Sequence, residues 1–378
     1  MVNKKLVIIF VIDMYDWGNN GTTMTARRTA DYLRKQGHQV KILSTGIPEN
    51  NKFVVPRRYI PIVSTVAKKQ NFIFGKPEKD VIRQAFSQAD IAHFFLPFEL
   101  EIQAMEIAQE MHLPHCAAFH LQPENMIYNL QPKNSNILSD YLYRRFRNRF
   151  YNGFDHIHCP SQFIASQLVK RDYRSKLHVI SNGIPDTFSP LINQGSNTDS
   201  KFHILSVGRL APEKRQDILI EAVNGSKYRD SIQLHFAGYG PERSRLIKLG
   251  QKLPLSPTFD YYSQPDLVSL IHTCKLYVHP SDIEIEAISC LEAIACGLVP
   301  VISNSVKSAA PQFALDERSL FEAGDYVDLA HKIDYWIEHA DERNRMSARY
   351  AESAHAYSIE SSARKLEAMF YEVIEDAK

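Results

Sequence analysis

Residues 281–303 read SDIEIEAISCLEAIACGLVPVIS, and this stretch decides the architecture. Ile288, Leu291 and Ala295 recur at i, i+3 and i+7, the inward stripe of a buried helix, and VPVIS (299–303) then reads as a buried strand. Glu292 falls at the i+4 position of that same apolar stripe. Burying an ionised carboxylate costs on the order of several kcal/mol unless donors satisfy it, and the hydroxyls of a bound ligand suit that task. Glu284, eight residues earlier, follows the strand-like LYVHP run and lies just before the helix, where unpaired backbone amides attract anions.

Outward from there, the same alternation of apolar runs and amphipathic stretches occupies the whole chain, twice over. The first half holds KLVIIFVI, a helix over about Thr22–Gln36, QVKILS, IAHFF, a helix beginning near Phe98, CAAFH, an Arg-rich segment after Asp140, HIHCP and LHVIS. Gly37 is placed to close the first helix. A polar, irregular stretch, INQGSNTDSK, reads as a linker. The pattern then restarts with HILSVGR, QLHFAG, FDYYS, LYVHP and VPVIS. Two such series predict an α/β protein of two doubly wound Rossmann-like domains facing each other across a cleft. We place the domains at 1–190 and 191–355, with a last helix at 356–378 packing back on the first.

Composition narrows the class. With 44% hydrophobic and 23% charged residues in 378, the chain has material for two cores and is neither fibrous nor disordered. Five cysteines without a CxxC pair argue for a reducing compartment and against structural zinc. The amino-terminal apolar run is seven residues, ended by Asp13, and reads as a first buried strand rather than a leader. No stretch reaches the roughly 20 apolar residues of a spanning helix, so a cytoplasmic or peripheral protein is expected. The net charge of +1 hides an asymmetry: residues 1–190 carry 24 Lys+Arg against 16 Asp+Glu, and residues 191–378 carry 20 against 27. A basic first half suits an anionic membrane face or a phosphorylated acceptor.

Ligands of open parallel sheets bind beyond the carboxyl ends of the strands. There, HILSVGR leads into Gly208, Arg209 and Lys214 just before a helix, two cations in one loop that suit a diphosphate. The next strand ends in Ala237–Pro241, where Gly238 and Gly240 allow close backbone approach. In the first half WGNNGTT (17–23) supplies Gly18 and Gly21 after the first strand. It is not the GxGxxG fingerprint, which disfavours a nicotinamide oxidoreductase.

GRLAPEK (208–214), Glu284-x7-Glu292 and the EAIACGLVPVI continuation together resemble the retaining GT-B glycosyltransferases of family four, the group 1 type. The glycine loop, GHQV, SNGI (181–184) and the last helix fall in the same order. The resemblance implies a nucleotide-sugar substrate, with UDP the commonest carrier, and a hexose passed to a hydroxyl acceptor. Arg209 and Lys214 would hold the diphosphate and stabilise the leaving group. Glu292 would take the ribose hydroxyls, Glu284 the sugar or its phosphate neighbourhood, and His120 would lie near the anomeric centre. The amides of residues 285–288 (Ile285, Glu286, Ala287, Ile288) would adjoin the donor, with Gly18, Gly21, Gly208, Gly238 and Gly240 close to it. No cofactor or metal is expected, because the implied front-face route uses the departing phosphate oxygen as base; no Asp-x-Asp triad or nucleophile arrangement is present.

The chain departs from the family at Ile285-Glu286-Ala287, where a small Gly-Phe-Gly run is common, at Arg215, commonly glycine, and in NSVKSAAPQ, which lacks a glycine pair. A non-catalytic GT-B subunit and a nucleotide-sugar epimerase therefore stay open as alternatives. His93 and the His156/His158 pair read as strand residues, and we assign them no metal. For the acceptor, YLYRRFRNRFYNGF (141–154) interleaves Arg144, Arg145, Arg147 and Arg149 with aromatics, and further basic residues occur at Arg57, Arg58, Lys68 and Lys69. This suits either an anionic membrane bearing a glycolipid or polyprenyl-linked acceptor, or an ordinary helix with inward aromatics. A nucleic-acid partner is disfavoured, since no binding motif accompanies the charge.

Overall fold

The computed structural model describes residues 4–16, 21–61, 72–128, 135–191 and 200–378. The chain divides into two compact units: Met1–Pro123, Asn134–Gly183 and Ile359–Lys378 form one, Glu124–Lys133 and Ile184–Ser358 the other. The expected boundary at 190 thus falls inside the second unit, because Ile184 donates its N–H to Tyr357 O there at 2.9 Å.

The first unit is built on β1 (Val7–Met14), α1 (Gly21–Lys35), β2 (Gln39–Thr45), β3 (Lys52–Val54), β4 (Arg57–Arg58), β5 (Phe74–Gly75), α2 (Lys79–Phe86), β6 (Ile91–Phe94), α3 (Glu99–Glu110) and β7 (His115–Ala118). After α4 (Pro123–Ile127) it continues with α5 (Ser135–Arg149), β8 (His156–Cys159), α6 (Gln162–Val169) and β9 (Lys176–Val179). Its seven strands lie in the order β3-β2-β1-β6-β7-β8-β9, and every pairing is parallel. β4 and β5 form a small antiparallel pair, unforeseen from sequence because two residues carry no period. α1 stops where Gly37 turns to φ +92°: Gly37 N–H donates to Arg34 O at 2.9 Å and His38 N–H to Leu33 O at 3.1 Å.

The second unit comprises β10 (Phe202–Val207), α7 (Gln216–Gly225), β11 (Ile232–Ala237), α8 (Arg243–Gly250), β12 (Thr258–Asp260), α9 (Gln264–Thr273) and β13 (Leu276–His279). It ends with α10 (Ile288–Ala295), β14 (Val299–Ser303), β15 (Leu320–Phe321), α11 (Tyr326–Glu338) and α12 (Ala340–Ala354). Its parallel sheet runs β12-β11-β10-β13-β14-β15, so the strand order reverses between β10 and β13. That reversal opens a crevice at the carboxyl ends of these two strands.

The last helix, α13 (Ile359–Asp376), packs on the first unit. Leu366, Met369, Phe370 and Val373, at i, i+3, i+4 and i+7, are buried in one cluster with Ile8, Phe10 and Ile12 of β1 and Ala26, Ala30 and Leu33 of α1. The protein is thus a two-domain α/β chain, each domain built on a Rossmann-like parallel sheet. Among the described residues no helix is long and apolar enough to cross a membrane.

Candidate active site

The loops after β10 and β13 flank the reversal point of the six-stranded sheet, and they bring together residues 70 positions apart. Lys214 Nζ forms an ion pair with Glu284 Oε1, and His279 Nε2 donates to the same oxygen at 3.0 Å. Burial alone would raise the Glu284 pKa. The Lys214 ammonium and the His279 hydrogen bond outweigh it and hold the carboxyl far below the usual carboxylate range. The network continues inward: His279 Nδ1 meets Tyr277 Oη at 3.1 Å, Tyr277 Oη meets Ser289 Oγ at 3.1 Å, and Ser289 Oγ donates to Val207 O at 3.1 Å.

Arg209 shares the loop. Its Nη2 pairs with Glu213 Oε1, its carbonyl accepts from Gln216 Nε2 at 3.0 Å, and its side chain, 38% exposed, presents the remaining guanidinium to solvent. Glu213 is buried, and its carbonyl accepts the Asp282 N–H at 2.9 Å, which ties the two loops together through backbone as well as charge. The glycines serve that closeness. A Cβ on Gly238 would fall on the Gly208 carbonyl, and one on Gly240 on the backbone of Leu210. The approach these glycines permit is to the protein's own chain. Gly208 itself needs φ +153° and faces open space apart from Lys214 Cδ, 4.0 Å away.

Glu292 is buried on α10 as its place in the apolar stripe implies, beside buried Leu291 and Ala295, and its charge contributes, after burial, to the raised thiol pKa of Cys296. Ile285 and Ile288 are half-buried, and Glu286 and Ala287 are buried. Two of the departures from the family share one backbone state: Ala287 (φ 68°) and Arg215 (φ 49°) are both left-handed. Each occupies a conformation glycine adopts without strain. Arg215 is held there by Asp282 at 3.1 Å and Asp217 at 3.4 Å, and Tyr128 Oη donates to the same Asp282 oxygen at 2.5 Å. Tyr128, Pro212, Arg215, Asp217, Glu242 and Arg245 line a cavity of about 580 Å³.

The other expected site residues belong to the first unit. His120 follows β7, is buried, and stacks on Phe95 with centroids 5.6 Å apart. Burial, and secondarily His158, keeps it neutral to well below the usual histidine range, and its Nε2 has no hydrogen-bond partner. Gly21 opens α1 with nothing within 4 Å of a Cβ built there, whereas Gly18, Lys68 and Lys69 lie outside the described residues. Tyr143 and Phe146 of α5 and Phe150 just after it are buried and pack in the core, whereas Tyr141 is exposed. Arg144, Arg145 and Arg149 are exposed; Arg147 is tied down, donating to Arg171 O at 2.7 Å and pairing with Asp172 at 3.7 Å. Sequence reading missed Glu213, His279 and Tyr277. The only local signal was the histidine that closes LYVHP.

Residues 190–353 match the family model of glycosyl transferases group 1, and residues 19–188 match that of glycosyltransferase family 4. The chain belongs to the group 1, family 4 glycosyltransferases. This family 4 glycosyltransferase is 24% identical over 306 residues to an alpha-monoglucosyldiacylglycerol synthase of Streptococcus pneumoniae, covering 75% of this chain and 68% of the relative. It is 24% identical over 302 residues to a GDP-mannose-dependent alpha-mannosyltransferase of Mycolicibacterium smegmatis, covering 75% and 76%. Its fold is similar to that of Anabaena HepE, solved with UDP and glucose, at TM-score 0.73 and 15% identity, covering 97% of this chain and 100% of HepE. As a GT-B glycosyltransferase it uses a nucleotide-sugar donor.

Proposed function

We propose that the protein transfers a hexose from a UDP-sugar, with retention of configuration and without a metal, to a lipid-borne hydroxyl at a cytoplasmic membrane face. The observation that carries this reading is the pair of cations, Arg209 and Lys214, converging at the reversal point beside Glu284. The bond from the anomeric carbon to the diphosphate breaks while the bond to the acceptor oxygen forms on the same face. The acceptor proton goes to the departing phosphate oxygen, so the products are UDP and the glycoside. Charge grows on the diphosphate, where two cations are worth most, and no protein nucleophile is needed. Glu284 holds the Lys214 ammonium at that place; Glu292 receives the ribose hydroxyls.

Retention is supported by the alpha configuration that both curated relatives carry in their names, since alpha products from alpha-linked sugar nucleotides keep their stereochemistry. A lipid acceptor is supported by the diacylglycerol product in one of those names, by the basic first half, and by the exposed face of α5, where Ile137 and Tyr141 sit beside Arg144 and Arg145. UDP- and GDP-sugars are incubated with the enzyme in EDTA, with and without diacylglycerol vesicles, and nucleoside diphosphate release and anomeric NMR signals are followed. Slow UDP release that the vesicles accelerate, with an alpha product, is expected. Absence of release with every donor, or turnover that needs added metal, would sink the reading.

A further inference from the structure

His156 opens β8 and His178 lies in β9, with His156 opposite Lys176 and His158 opposite His178 in the parallel register. The partner of His156 is therefore the diagonal His178: Nδ1 and Nε2 face each other 2.9 Å apart. From α13, Glu372 brings Oε1 to 3.9 Å of His156 Nδ1, and one turn later Asp376 Oδ2 lies 3.1 Å from His156 Nε2. One donor atom from each of His156, His178 and Glu372 lies within 4.8 Å of the other two.

These positions have the chemistry of a metal cradle rather than of a chance surface cluster. Asp376 Oδ2 lies 3.1 Å from His156 Nε2, which leaves Nδ1 as the ring nitrogen that faces the cluster centre. A carboxylate behind a ligating imidazole is the arrangement that orients histidine toward zinc. Around a tetrahedral zinc, with bonds of about 2.05 Å, ligand atoms sit roughly 3.3 Å apart, and the distances 2.9 and 3.9 Å bracket that spacing. The opposing feature is Lys176, whose ammonium pairs with Glu372 Oε1. Both partners of that pair are solvent-accessible, and such pairs are weak. A divalent ion at the cluster would take the place of that ammonium on Glu372.

We propose that His156, His178 and Glu372 form a binding site for a divalent ion of the zinc type, oriented by Asp376, that fastens α13 to the edge of the seven-stranded sheet. This departs from the sequence reading, which gave His156 no metal: three protein ligands and a water complete the tetrahedron, and no step of glycosyl transfer passes through it.

The test is calorimetric titration of Zn²⁺ into untagged, chelator-treated full-length protein, with thermal melting at each stoichiometry. One zinc per chain and a rise in Tm on loading are expected. His178→Gln and Glu372→Gln, both at half-buried positions that can change without disturbing the core, are each expected to weaken binding by 10-fold or more, with circular dichroism confirming the fold. Asp376→Asn is expected to weaken it by roughly 10- to 100-fold. No stoichiometric uptake by the unaltered chain would overturn the proposal, as would equal affinity in either ligand variant.

Discussion

Lys214 and Glu284 form an ion pair across the point where the strand order of the six-stranded sheet reverses, and the carboxylate is held ionised at a buried position by that ammonium and by His279. The pair has two separable roles, one in stability and one in the charge that meets a diphosphate.

Lys214→Ala leaves the Glu284 carboxylate without its main partner. A loss of about 2 kcal/mol is expected, below the figure for a fully enclosed pair, because the Lys214 side chain is 22% exposed. The rate of transfer falls roughly 100- to 1,000-fold, the scale of a lost oxyanion donor. Lys214→Ala with Glu284→Gln recovers stability in urea melts but not turnover; recovery of both would refute the assignment.

Ala287→Gly relieves a left-handed alanine, worth roughly 1–2 kcal/mol, against about 0.5–1 kcal/mol of added unfolded-chain entropy. A net gain of about 0.5 kcal/mol in unfolding free energy, read from the shift of the urea midpoint, is expected. Arg215→Gly relieves the same backbone strain but gives up Asp282 and Asp217, so it is expected to show no gain. Equal gains in both variants would mean that those pairs contribute nothing.

Stability in acid depends on the buried histidines of the first unit. Burial pushes His158 down to about 4, and His93 and His120 also lie well below the ordinary value. The unfolded chain binds protons near pH 6.5 while folded His158 does not, so stability falls between pH 6.5 and 4, by about 3 kcal/mol for His158 alone. Asp13 and Glu101 work in the opposite sense. Burial raises Asp13 to about 6 and Glu101 well above its ordinary value, so their contribution is present at low pH and lost as pH rises. Urea titrations from pH 5 to 8.5 are expected to show Glu101→Gln most stabilised at the alkaline end and His158→Gln with a shallower acid slope.

Replacing Arg144, Arg145 and Arg149 together with Gln is expected to reduce binding to anionic vesicles by roughly 100-fold, at about 1 kcal/mol per basic residue, with Tm unchanged. Arg147→Gln is expected to lower Tm instead, since it breaks the bond to Arg171 O. Flotation and melting of the two variants check this pairing of effects.

Much of the fold was legible because it is local. The VPVIS and LYVHP runs, the Gly37 helix stop and the stripe of Ile288, Leu291 and Ala295 are periodic signals within a few residues of one another, and the structure has an element at each. The aromatic and Arg pattern of 141–154 was legible only as two alternatives. Tyr143, Phe146 and Phe150 turn inward while Tyr141 and three of the arginines stay on the outer face, a division that no window of sequence reports. β3, the β4–β5 pair and β15 passed unnoticed because two or three residues hold too little pattern to read.

By itself the sequence determined the two strand–helix series, the acid on an apolar helix stripe, and the cations after the strand that ends at Val207. The tertiary structure alone decided which charges meet. Glu284 finds Lys214 and His279, Asp13 finds Glu101, and His156 finds His178 and Glu372, across separations of up to some two hundred residues. The reason is strand order: hydrophobic period sets which face of an element is buried, but only crossover connections determine which strands, β10 with β13 and β8 with β9, become neighbours.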